Sequence, residues 1–201
     1  MKIAISAVLA LCASLSAGDS AHRIKANEVH PDGSTSTSFG SCAVVDCSEF
    51  KATKKQYILT AAHVVESRSR RVSVELTENV WIDCVPIHID RENDIALLRA
   101  SREFESCSKL APSDVVTVSG SPASRVVDSH GATIQGFTIH TTGMTHGMSG
   151  SPVFNARNEI SGIIVAGIAD DKGNMRSDLG IAVSANNIRR LLASLKFEKE
   201  N

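Results

Sequence analysis

From Phe39 to Val183 the chain is a succession of short β-prone runs, each the length of a single strand. Ala43-Val44-Val45, Tyr57-Ile58-Leu59, Val72 to Leu76, Val80 to Val85 and Asp94 to Arg99 are separated by polar turns, with Thr77-Glu78-Asn79 as a hairpin tip. A polar crossing from Glu103 to Asp114 follows, carrying Cys107 and Pro112. The pattern then repeats in Val115 to Val118, Ala132 to Ile134, Phe137 to Ile139, Ser151 to Phe154, Ile160 to Val165 and Gly180 to Val183. Regular spacing of short strands predicts an all-β body of closed sheets, and 201 residues suit one such body built as two barrels. The period changes only after Ser184, an N-cap candidate. Ile188, Leu191, Leu192 and Leu195 share one helical face, which predicts a C-terminal helix over 184–196 packed on the body.

Three of the turns carry chemistry. In Thr145-His146-Gly147-Met148-Ser149-Gly150-Ser151-Pro152-Val153-Phe154 a serine is held between two glycines ahead of a buried strand. Gly147 can take a positive φ, which aims its N–H into a cleft; with the N–H of Ser149 it would form a two-donor pocket for an oxyanion. A serine hydroxyl is a poor nucleophile at neutral pH and needs a histidine base, itself oriented by a carboxylate. Ile58-Leu59-Thr60-Ala61-Ala62-His63 and Asn93-Asp94-Ile95-Ala96-Leu97-Leu98 supply one of each, both at the edge of an apolar strand. Asp90 is the nearby alternative, but it precedes polar Arg91-Glu92-Asn93, whereas Asp94 leads directly into the apolar run and is expected to be partly buried.

The order His63, Asp94, Ser149 separates this chain from α/β-hydrolases and subtilisins, which place the same residue types in other orders. Thr60-Ala61-Ala62-His63, Asp94-Ile95-Ala96-Leu97-Leu98 and Gly147-Met148-Ser149-Gly150-Ser151-Pro152-Val153 resemble the three signature segments of chymotrypsin-fold (trypsin-like) serine endopeptidases. The likeness is to the bacterial branch, V8-type glutamyl endopeptidases and HtrA-like protease domains. It runs over roughly residues 39–192, and Ser149 to Asn155 with Asn158-Glu159-Ile160 and Gly162-Ile163 is especially V8-like. The resemblance implies two packed antiparallel six-stranded β-barrels, the first at about 39–103 and the second at about 113–183, within a protease domain spanning 39–198. It also implies a secreted serine-type endopeptidase, with catalytic His63, Asp94 and Ser149 and an oxyanion hole at Gly147 and Ser149. The animal digestive relatives are switched on by cleavage after a basic residue before Ile-Val-Gly-Gly, and the freed N-terminus pairs with an aspartate just before the serine. Nothing like that site follows Arg23, and the aspartate position is Met148, so the oxyanion turn is expected to form without zymogen cleavage.

By the same resemblance the primary specificity pocket is walled by Gly143 to Met148, by Ile163 to Gly167 and by the strand around Gly180, with Gly143, His146, Ile164, Val165, Ala166 and Gly180 as substrate-binding candidates. V8-type enzymes place a glutamate-binding histidine in the second wall; Ile164 stands there, so a small or medium apolar residue is expected before the scissile bond. Asp178, ahead of Gly180, is a second candidate for this pocket or else a turn residue, and Asp128 is assigned to a turn.

Met1 to Ala17 reads as a secretory signal: Lys2, an apolar stretch from Ile3 to Leu15, and small residues at Ser14-Leu15-Ser16-Ala17-Gly18. The apolar run falls short of the roughly 20 residues of a membrane span. Residues 18–38 are polar and read as a flexible lead-in or short pro-segment. Loss of the signal removes Cys12 and leaves Cys42, Cys47, Cys84 and Cys107 in an exported protein, which points to disulfides. If Cys42 to Cys47 is one straight strand, five steps separate them by roughly 16 Å, beyond the roughly 4.4–6.8 Å a disulfide tolerates. Each is therefore expected to pair with Cys84 or Cys107, the alternative being reduced thiols packed as small apolar residues.

Net charge is −1 and no basic run suggests nucleic acid; Arg68-Ser69-Arg70-Arg71 is assigned to a solvated loop. His22, His30, His88, His130, His140 and His146 are scattered without metal-ligand spacing, so no metal or other cofactor is expected. The partners expected are a polypeptide substrate, no nucleic acid and no membrane after signal cleavage, for a monomer outside the cytoplasm. The competing classes are a catalytically silent chymotrypsin-fold binding module and a secreted serine esterase.

Overall fold

The computed structural model describes residues 20–50, 56–66, 70–113, 115–120, 128–135 and 137–195. Twelve strands form two closed antiparallel barrels. The first is built from β1 (Ala21–Val29), β2 (Thr35–Asp46), β3 (Gln56–Ala61), β4 (Arg70–Thr77), β5 (Val80–Asp90) and β6 (Ile95–Ala100), ordered β1-β2-β3-β6-β5-β4 around the ring. The second is built from β7 (Val115–Gly120), β8 (Asp128–Gln135), β9 (Thr138–Thr141), β10 (Pro152–Phe154), β11 (Ile160–Ala169) and β12 (Met175–Ser184), ordered β10-β11-β12-β9-β8-β7. Asp128 thus opens a strand rather than sitting in a turn. A four-residue helix α1 (Ala62–Val65) follows β3, and α2 (Ala185–Ser194) closes the chain.

The two-barrel expectation holds, with one correction at its start. Residues 21–29 are not a lead-in: they are β1, paired with β2 from Ala21↔Ala43 to Val29↔Thr35 and with β4 from Ile24↔Val74 to Glu28↔Arg70. The first barrel begins at Ala21, not near Phe39. β1 is polar in composition because only Ile24 and Ala26 are buried, while the backbone ladder to two neighbours satisfies its amides. The polar stretch from Thr35 to Ser38 is the exposed start of β2. The signal-like segment, residues 1–17, lies outside the described residues. Among the described residues no helix is long and apolar enough to cross a membrane.

The crossing between barrels is stitched to both. Ser108 makes a parallel bridge to Val45 and Leu110 one to Ile160, with Asp46 N–H donating to the Ser108 carbonyl at 2.8 Å and Ile160 N–H to the Lys109 carbonyl at 2.7 Å. One apolar cluster fills the first barrel and continues through Phe154, Ile160 and Ile163 to Ile188 and Leu192 of α2; a second, with Val118, Ile139, Met148 and Ile164, fills the second barrel. α2 is capped as expected, the Ser184 hydroxyl accepting from Asn187 N–H. Burying Leu192 alone contributes about 1.5–3 kcal/mol.

The expected disulfides are not formed: Cys42, Cys47, Cys84 and Cys107 are free thiols. β2 and β5 stand on opposite walls of the first barrel, three places apart in the ring, and Cys42 and Cys84 face its core from those walls. They pack there as small apolar residues. Burial pushes the Cys42 thiol well up, with Cys84 adding to the effect. Burial also pushes Cys84 up to about 12 and, with the charge of Asp46 beside it, Cys47 up to about 12.

Candidate active site

His63 and Asp94 are brought together by one ladder. β3 and β6 pair from Ile58↔Leu98 to Ala61↔Ile95, so the residues after Ala61 and before Ile95 emerge at the same end of two adjacent strands. Ala62 N–H donates to the Asp94 carbonyl at 2.9 Å. The Asp94 carboxylate then grips His63 twice: Oδ1 accepts from the backbone N–H at 2.9 Å, and Oδ2 lies 2.7 Å from Nδ1. Nδ1 facing a carboxylate carries the proton, which leaves Nε2 as the acceptor nitrogen. Asp94 makes both contacts from a φ of +54°, a left-handed conformation that an aspartate tolerates better than most residues. Its side chain is 32 % exposed, partly buried as expected. Asp90 is occupied elsewhere, accepting from Asn93 N–H and Nδ2 in a surface turn.

Ser149 sits in the turn between β9 and β10, and the first barrel holds that turn in place. Ser41 N–H donates to the Ser149 carbonyl at 2.8 Å, and the Ser41 hydroxyl donates to the Gly147 carbonyl at 2.8 Å. Gly150 N–H donates to the Ile164 carbonyl at 2.7 Å. Gly147 has φ +92° and Gly150 φ +86°, both in the left-handed region that glycine enters freely and a residue with a β-carbon only at a cost. Met148 is buried in the second-barrel core between them. The carbonyls of Gly147 and Ser149 are thus engaged on the scaffold side. Their N–H groups donate to no protein acceptor among the described residues, as the pocket expected from the sequence requires.

His63 and Ser149 line one cleft of about 340 Å³ at the seam of the barrels. No hydrogen bond joins the Ser149 hydroxyl to the imidazole among the described contacts; catalytic pairs commonly close only around a substrate. Of the substrate-binding candidates, His146 and Ile164 line the cleft. Gly180 lies behind it against Met144, while Gly143, Val165 and Ala166 flank the wall without lining it. Asp178 is turned away, ion-paired to Arg176 at 2.6 Å and beside a different hollow near His140; the Arg176 hydrogen bond holds its carboxyl below the usual range. Phe39, Val64 and Met175 also line the cleft. Val64 follows His63 in α1, whereas Phe39 and Met175 come from distant strands, β2 and β12, and only their apolar character beside polar runs marked these two in the sequence. His22 and His30 are used structurally, His22 against the Glu75 carbonyl and the Phe104 ring, His30 against Ser36.

Comparison with known proteins agrees with this fold. The family model described as a trypsin-like peptidase domain matches residues 40–163. The chain is similar to the periplasmic serine endoprotease DegP of Salmonella typhimurium, at 26% identity over 176 residues, covering 78% of this chain and 35% of that protein. The chain therefore spans about a third of that relative's length. Among solved structures, the Rv3671c protease from M. tuberculosis in its active form superposes with a TM-score of 0.69 at 17% identity, covering 90% of this chain and 83% of the other. An inactive mutant form of the same protease gives 0.65 at 18% identity, covering 88% and 86%. At those identities the likeness is one of fold.

Proposed function

The chain belongs to the trypsin-like peptidase family, and from that premise we propose that it is an exported serine endopeptidase acting through His63, Asp94 and Ser149. The observation that carries the proposal is the double grip of Asp94 on His63 across one cleft from a serine whose neighbouring N–H groups are unspent. In the proposed reaction, His63 Nε2 takes the proton of the Ser149 hydroxyl as that oxygen attacks a peptide carbonyl. Asp94 stabilises the imidazolium, and the N–H groups of Gly147 and Ser149 receive the negative oxygen. His63 then passes its proton to the leaving amine, and water hydrolyses the acyl-enzyme with His63 again as base.

We place the chain in the bacterial branch of the family, which the Salmonella and M. tuberculosis relatives support; the narrower V8 likeness rests on the Ser149 to Asn155 segment. Export is supported by the signal-like residues 1–17 and by the periplasmic relative. Constitutive assembly of the oxyanion turn is supported by β1, which holds residues 21–29 in the first barrel, and by Met148, which anchors the turn by burial. The test is labelling with a fluorophosphonate. Rapid labelling lost in Ser149→Ala is expected, together with cleavage of peptide as well as ester substrates. No labelling of the folded protein would make it a binding module, and ester cleavage alone an esterase.

A further inference from the structure

We propose that Gly40 is a positioning residue, its bare α-carbon setting the separation between the His63 base and the Ser149 nucleophile. The inference rests on the peptidase reading above and deepens it by naming what holds that site to length. Gly40 is buried in β2 and pairs with Ile24 of β1 in an unbroken ladder from Ala21↔Ala43 to Val29↔Thr35. It is not among the glycines with a positive φ, so its backbone suits any residue. A glycine inside a strand weakens it and marks a place where something else comes close. Here two groups do. A β-carbon on Gly40 would stand 2.9 Å from the Ser149 carbonyl oxygen and 2.9 Å from each of the two Val64 methyl carbons.

The two neighbours belong to the two ends of the proposed reaction. Val64 follows His63 in α1, is 5 % exposed, and carries two methyl groups on a side chain with one strongly preferred rotamer in a helix. The start of α1 is pinned by Ala62 N–H on the Asp94 carbonyl and by Asp94 Oδ1 on the His63 N–H, each at 2.9 Å. The Ser149 carbonyl accepts from Ser41 N–H, next along β2, at 2.8 Å, and Gly150 N–H ties the turn to the Ile164 carbonyl at 2.7 Å. Gly40 thus stands between two braced bodies, one carrying the imidazole and the other the hydroxyl. Carbons in contact rest about 3.5–4.0 Å apart, so a methyl group at position 40 falls roughly 0.6 Å or more short of the room it needs against Val64. No long, flexible side chain is there to give way, so the added carbon pushes α1 and the serine turn apart. Gly40 itself does not line the cleft; it acts on the reacting groups without touching substrate.

The test compares Gly40→Ala with Gly162→Ala. Gly162, on β11, also lacks a positive φ, and its β-carbon would stand 2.9 Å from the Val183 carbonyl oxygen and 3.7 Å from Ala182, so it is crowded by backbone that carries neither the base nor the nucleophile. Both variants should melt below wild type. Gly40→Ala should lower kcat and the fluorophosphonate labelling rate together by roughly 10–100-fold, the scale on which a misplacement of about 1 Å acts, with KM changed less than about twofold. Gly162→Ala should label at the wild-type rate. In a Val64→Ala background, which empties one side of the slot, the same change at Gly40 should slow labelling at least about threefold less, since residues in contact do not act additively. Should Gly40→Ala alone fail to fold, that background carries the test: the Ser149 carbonyl is still crowded, and Gly40→Ala/Val64→Ala should label about 3–30-fold more slowly than Val64→Ala. A folded Gly40→Ala that labels like wild type overturns the proposal and leaves the peptidase reading standing. So do equal slowing in Gly162→Ala, no relief in the Val64→Ala background or, where only that pair folds, equal labelling within it. A wild type that does not label overturns both.

Discussion

Two glycines with nearly the same backbone angle allow the clasp between the barrels to be weighed. Gly150 has φ +86° and Gly173, at the tip between β11 and β12, has φ +82°, so alanine at either position carries a similar left-handed backbone cost of about 1–2 kcal/mol. The surroundings differ completely. A β-carbon on Gly173 meets nothing within 4 Å, whereas one on Gly150 would lie 1.9 Å from the Ser41 carbonyl oxygen and 2.3 Å from the Thr60 hydroxyl. Thr60 donates to that same Ser41 carbonyl at 2.8 Å, so the obstacle is bonded backbone rather than the end of a flexible side chain. Overpacking adds about 1–3 kcal/mol, giving about 2–5 kcal/mol for Gly150→Ala against about 1–2 for Gly173→Ala. In a domain of this size each kcal/mol moves Tm by roughly 2–4 °C. Gly173→Ala should therefore melt ~2–8 °C below wild type and label with fluorophosphonate at the wild-type rate. Gly150→Ala should melt ~4–20 °C below wild type and label much more slowly, because Ser149 must move with the Ser41 strand. Scanning calorimetry with labelling kinetics on both variants decides it. Equal melting shifts with equal labelling rates would refute the idea that close backbone contact between the barrels positions the serine.

Three further outcomes follow from the same geometry. Asp94→Asn should keep the fold but lower kcat at neutral pH by ~10⁴-fold, since an amide cannot accept from both the backbone N–H and Nδ1 of His63; peptide hydrolysis and a melting curve check it. Ser41→Ala removes the hydroxyl bond to the Gly147 carbonyl and should lower kcat about 5–10-fold, with KM little changed, for the loss of about 1 kcal/mol of orientation. For Cys47 and Cys84 the folded thiol pKa stands above the ordinary value of 9.0, at about 12. The unfolded chain gives up these protons first. Stability is therefore full below pH about 9 and is lost as pH rises from there towards about 12, by about 1.4 kcal/mol per pH unit for each thiol. Urea midpoints at pH 8 and pH 10 should show the loss, and Cys84→Ala should reduce it by the share of one thiol, leaving that of Cys47 and of Cys42, which burial also raises.

The barrels were legible in the sequence because they depend on local patterns, and the proposed triad rests on signals of the same local kind. Short β-prone runs recur at regular spacing between polar turns, and His63, Asp94 and Ser149 each stand at the edge of an apolar run. β1 was not legible, because Ile24 and Ala26 are its only fully inward side chains and its stability comes from pairing with strands distant in sequence. The cysteines misled for a related reason: spacing along β2 excludes one pairing but says nothing of the barrel width between Cys42 and Cys84. The cleft lining contributed by Phe39 and Met175, and the left-handed backbone of Asp94, likewise arise only when remote segments close on each other.

The stitch from Ser41 to Gly147 and Ser149 has a consequence for how such a chain is made. The proposed base, His63, comes from one half of the molecule and the proposed nucleophile, Ser149, from the other, and neither half alone assembles the constellation. On that assignment, a nascent or partly melted chain with a single half formed is expected to be inert. On the proposed assignment, hydrolytic power therefore depends on the two barrels being docked on each other, and the stitch itself acts as a safety catch.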